Sequence, residues 1–195
     1  MSIIKIAFDC FEKIKSYNWY FELENNSVVK LSFDDEHFTH LILGTSLIKH
    51  LKQYKGKAGY QNISNITFDK LKIEITKNPT ISNQVQSVKK RIKNFVQIEN
   101  ILLNPIYFFY DVTKVNCQNK NDIKATYALR LSNSINISDL TEDQINQQLR
   151  TTFFIREIQN SEYIGVTCIV DNSSYKHTCN QDKIKVKKAW QETKS

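Results

Sequence analysis

Glycine and proline are scarce, four and two residues in a chain of 195, which excludes collagen-like repeats and Pro-rich disordered tracts. No apolar run approaches the roughly 20 residues a membrane-crossing helix needs. The N-terminal stretch meets Asp9 and Glu12 too early for a secretory signal, so a cytoplasmic location and no membrane partner are expected. No GxGxxG, Walker loop, HExxH or GxSxG occurs, which argues against nucleotide hydrolysis, zinc proteolysis and serine-hydrolase chemistry; no cofactor is expected. CxxC is absent as well. Cys10, Cys117, Cys168 and Cys179 are widely spaced, and Cys168, His177 and Cys179 match no common zinc pattern, so buried or incidental thiols and no metal are expected. Internal repeats and low-complexity linkers are lacking too, which leaves residues 1–195 as a single domain.

What is present is ordinary globular material, 41% hydrophobic and 24% charged, enough for one good core. Lys and Arg outnumber Asp and Glu by 27 to 20, a net charge of +7. A basic excess attracts polyanions, because each neutralised phosphate releases counterions. The abundance of Lys, Asn and Ile offers a second source for that charge, an AT-rich codon bias.

Hydrophobic spacing sets the expected elements. Ile3, Ile6, Ala7, Cys10, Phe11 and Ile14 recur at helical spacing over residues 3–15. The period then becomes two: Trp19, Phe21 and Leu23 alternate with Tyr20, Glu22 and Glu24, and Val29, Leu31 and Phe33 with Lys30, Ser32 and Asp34. With Asn25-Asn26-Ser27 between them, these segments predict a β-hairpin with one buried face. Residues 35–55 predict helix or helix–turn–helix broken at Gly44, and a short helix is expected around residues 68–75. Residues 83–103 read as one helix, with Ser82 or Asn83 as N-cap. Strands are expected over Ile106–Val115, Lys124–Leu131, Arg150–Ile158 and Tyr163–Val170. A polar helix opening on Thr141-Glu142-Asp143-Gln144 is expected over Leu140–Leu149. The basic tail from Lys183 to Lys188 is left open, either a last strand or loose. The class is therefore α+β, with helical part and hairpin in residues 1–104 and a C-terminal antiparallel sheet of about four strands in residues 105–190.

Phe38-Thr39-His40-Leu41-Ile42-Leu43-Gly44 follows the hairpin directly. Together with the helix bearing Lys89-Lys90-Arg91-Ile92 and the late Thr151-Thr152-Phe153-Phe154 strand, it resembles the PBECR4-like group, phage and mobile-element proteins placed with the Barnase–EndoU–colicin–RelE-like ribonucleases. The match departs from the group's His-Leu-x-Gly pattern by one extra residue, which turns Gly44 by about 100° on a helix. The resemblance implies a metal-independent ribonuclease or RNA-targeting toxin, with RNA (tRNA included) as partner and an inhibitor or antitoxin protein to mask it.

Metal-free RNA cleavage by the 2′-hydroxyl needs a base, a cation for the phosphorane and an acid for the leaving oxygen. His40, Arg130, Thr152 and Arg156 are the catalytic candidates, since imidazole titrates near neutrality and guanidinium meets two phosphate oxygens at once. Lys89, Lys90, Arg91, Lys93, Tyr163, Lys176 and His177 are the RNA-binding candidates, Tyr163 for stacking on a base. Each has a plainer reading: His40 as a core histidine, His37 and His50 as surface residues, Lys89–Lys93 as a solvated helix face. A non-catalytic accessory protein that binds nucleic acid or a host protein is the alternative. The two separate on convergence, since catalysis needs His40, Arg130 and Arg156 in one cleft.

Overall fold

The computed structural model describes residues 2–115, 123–131, 151–170, 178 and 180–194. The expected helix at Leu140–Leu149, along with Cys117, Tyr175, Lys176, His177 and Cys179, lies outside the described residues.

The first helix, α1 (Ile3–Lys15), buries Ile4, Ala7, Phe11 and Ile14, one apolar stripe at three- and four-residue steps. Strands β1 (Tyr17–Leu23) and β2 (Val28–Ser32) form the hairpin, with Trp19 opposite Leu31 and Phe21 opposite Val29. Asn26 takes the positive-φ turn position, a conformation asparagine tolerates better than most residues. Next come α2 (Asp35–Leu43) and α3 (Thr45–His50), parted at Gly44, then α4 (Gly56–Ser64) and α5 (Phe68–Thr76).

The single helix expected over residues 83–103 is two. A 3-10 turn at Ser82–Gln84 leads into α6 (Val85–Phe95) without a side-chain cap, and α7 (Ile98–Leu103) follows a break at Val96 and Gln97. At the break the Gln97 amide turns back to the Asn94 carbonyl at 3.0 Å. The bend lets Val88, Ile92 and Phe95, then Ile98, Ile101 and Leu102, all reach the core.

The larger correction concerns the sheet. Strands β3 (Pro105–Phe109), β4 (Tyr127–Leu131), β5 (Thr151–Gln159), β6 (Glu162–Val170), β7 (Asp182–Ile184) and β8 (Val186–Thr193) join the hairpin in one eight-stranded sheet. Its order is β7-β3-β4-β5-β6-β2-β1-β8. A C-terminal sheet of four strands is therefore wrong. The hairpin carries one apolar face and two pairing edges, and the later strands satisfy both. β2 runs parallel to β6 with Leu31 beside Tyr163, and β8 pairs antiparallel with β1. The two outermost strands are consecutive in the chain, joined through Lys185, so the sheet curls into a nearly closed barrel. Phe21 of β1 meets Tyr107 of β3 at 5.2 Å between ring centres, a contact across the closing seam. The basic tail forms β7 and the start of β8.

Two further differences follow from burial. β3 stops at Phe109, and Val112–Lys114 forms a 3-10 turn where a strand was expected to Val115. Here Tyr110 and Val115 fold over the outer side of the sheet and build a second small core with Ala128 and Phe154. The main core lies on the inner side, where the helices pack. Gly165 of β6 makes one of those contacts possible: a Cβ there would lie 2.9 Å from the Phe153 ring and 3.2 Å from Leu41 Cδ2 of α2. No described helix is long and apolar enough to cross a membrane.

Candidate functional site

The residues that suggested chemistry fall on two sides of the sheet. α2 lies against the inner face, with Phe38, Leu41, Ile42 and Leu43 fully buried. Its N-terminus is closed by a capping box, in which the Asp34 amide donates to His37 Nδ1 at 2.8 Å. His37, expected at the surface, is therefore buried, and burial lowers its pKa. His40 is half-buried one turn further on. Burial lowers its pKa as well, with Glu36 opposing and Lys55 adding to the shift. His50 is exposed.

The Lys89–Lys93 run does not act as one group. The Lys89 ammonium lies 5.9 Å from the Phe68 ring centre, and Lys90 and Lys93 are exposed. Arg91 turns inward, its Nη1 donating to the Leu43 carbonyl at 2.6 Å. There it holds the carbonyl end of α2, where a cation is favoured by the helix dipole. Burial lowers the guanidinium pKa, and the Cys168 thiol beside it opposes the shift. That thiol is itself pushed up to about 12, by burial foremost. Tyr163 faces the inner side, 5% exposed against Tyr127, and offers no free ring face to a base.

The strand candidates point the other way. Ala128 pairs with Phe154 in the small outer core, and side chains two residues along a strand share its face. Arg130, Thr152 and Arg156 are thus all on the outer face. They differ in access. Thr152 is fully buried, and its hydroxyl has no partner among the described residues. Arg130 is half-buried and donates to Thr178 Oγ1 at 3.1 Å. Arg156 is exposed, opposite Ile164. His40 and the two arginines therefore do not share a cleft, since the sheet stands between them.

From Arg156 the outer face continues across β6, β2, β1 and β8, and it carries residues the sequence reading passed over. One row runs Glu162, Lys30, Tyr20, Trp190 by strand register. Tyr20 and Trp190 stack at 5.2 Å with ring planes 11° apart, and the Lys188 ammonium lies 5.1 Å from the Trp190 ring centre. Lys30 bonds Glu162 at 2.8 Å, and Trp190 Nε1 donates to Glu192 at 3.2 Å. The hairpin alternation already set Tyr20 on the polar side. Its aromatic partner became visible only once β8 was paired.

Among the described residues no group of three or more His, Cys, Asp or Glu side chains could hold a metal ion. A scan against protein-family models and searches of curated proteins and of solved structures find no match to this chain.

Proposed function

We propose that this protein binds RNA through the outer face of its sheet, as a non-catalytic accessory protein of the cytoplasm. The observation that carries this reading is the split of the candidate residues. Arg156 lies on the open outer face with Lys30 and Lys188, whereas His40 lies on α2 against the inner face. A general base must come within hydrogen-bond reach of the proton it takes, near the cations that hold the phosphate. An interface needs only cations in register with a backbone. The chain's charge of +7 and the lysines at 183, 185, 187 and 188 favour a polyanionic partner. The resemblance in the His40–Gly44 stretch points to RNA among polyanions.

The ribonuclease reading keeps one observation in its favour: burial lowers the pKa of the half-buried His40, a shift toward the neutral form a base needs. An incubation with total tRNA and single-stranded RNA in EDTA separates the two. Retarded but intact RNA, with binding weakened by Arg156→Glu, is the expected result. Discrete fragments with cyclic-phosphate ends, lost in His40→Ala, would overturn it in favour of the ribonuclease.

A further inference from the structure

We propose that the Tyr20–Trp190 pair is a stacking platform for an unpaired base, so that the RNA bound here is single-stranded; this rests on the outer-face reading above. Tyr20 and Trp190 are half-exposed on the polar face of the sheet, already parallel and 5.2 Å apart. Trp190 is held on three sides. Tyr20 covers one ring face, Glu192 accepts from the indole nitrogen, and the backbone of β8 is paired to β1. Trp190 keeps part of its surface open to solvent, and the ammonium of exposed Lys188 lies 5.1 Å from its ring centre. A stacked base outweighs an exposed cation–π contact, so a base displaces that ammonium and frees it for the adjoining phosphate. Lys30 flanks the pair from the other side, next to Tyr20 in register.

Carboxylates flank the platform: Glu162 bonds Lys30 on the side away from Tyr20, Glu22 lies opposite Lys188 in register, and Glu192 holds the indole nitrogen. A duplex cannot use such a platform, because its bases are already stacked on both faces. Only an unpaired base offers a free ring.

Trp190 supplies its own probe. The chain holds two tryptophans, and Trp19 is 2% exposed with its nitrogen bonded to the Ile14 carbonyl at 2.9 Å. Titration of the full chain with a single-stranded oligonucleotide, followed at once by tryptophan emission and by anisotropy of the labelled RNA, tests the platform. The expected result is quenching in step with binding, absent in Trp190→Phe, and affinity about ten-fold lower in Tyr20→Ala. Binding that leaves emission unchanged, or a loop-free duplex of two strands bound as tightly as the single strand, overturns the platform and leaves outer-face binding standing. Absence of binding overturns both.

Discussion

The Arg91 guanidinium occupies the space that a side chain at position 44 would fill. A Cβ on Gly44 would lie 2.3 Å from Arg91 Nη1, and the same nitrogen donates to the Leu43 carbonyl at 2.6 Å. Gly44 sits at φ 83° and ψ 157°, a region open in practice to glycine alone. The break between α2 and α3 and the inward turn of Arg91 are thus one device, which seats the buried face of α2 on the core.

Gly44→Ala is therefore expected to cost about 1–3 kcal/mol from backbone strain alone, with the displacement of Arg91 added. Urea unfolding measures it. Because the new methyl group collides with Arg91, the cost in an Arg91→Ala background should be smaller, giving a coupling of about 1 kcal/mol or more between the two sites. Strictly additive costs would show that the two residues are independent.

Gly165→Ala probes the seat of α2 on the sheet. The added carbon meets the Phe153 ring at 2.9 Å and Leu41 at 3.2 Å, both fully buried. Overpacking of this kind costs about 1–3 kcal/mol. A urea midpoint equal to that of the parent chain would mean that α2 does not press on β6 there.

Stability should fall on the acid side of neutrality through His37. Its Nδ1 accepts from the Asp34 amide and burial lowers its pKa from the ordinary 6.5. As pH drops below that value the unfolded chain takes up a proton that the folded chain resists, so unfolding gains. The loss runs from about pH 6.5 down through the lowered folded-state value. His40, lowered for the same first reason, adds to it. His37→Gln keeps an acceptor for the Asp34 amide without titrating. The urea midpoint of this variant should change less between pH 7.5 and 5.0 than that of the parent; an equal change would place the titration elsewhere.

Local patterns in the sequence carried much of the secondary structure. Trp19, Phe21 and Leu23 alternate on a face that needs covering, and the hairpin is where that alternation puts it. What no local pattern contained was the pairing. That β2 lies parallel to β6, 132 residues away between Lys30 and Glu162, depends on edges meeting in space. The lysines at 183, 185, 187 and 188 hide the apolar period of β7 and β8, where Ile184, Val186 and Ala189 pack on the core. The site suffered the same way. Mid-strand placement of Arg130 and Arg156 followed from the strands, but which side of the sheet faces α2 is a three-dimensional fact. Arg91 looked like one lysine-run cation among several, and its inward turn follows from the missing side chain at Gly44.

The central claim is that the outer sheet face binds RNA without cutting it. Affinity for a labelled single-stranded RNA, measured over a range of salt in EDTA, tests it most directly. Each phosphate neutralised on a single strand contributes a log–log salt slope of about −0.7, so contacts from Arg156, Lys30 and Lys188 give about −2. Arg156→Glu should weaken binding and flatten that slope, His40→Ala should leave both unchanged, and the RNA should be recovered intact. A slope near zero, or cleavage that His40→Ala abolishes, would contradict the account.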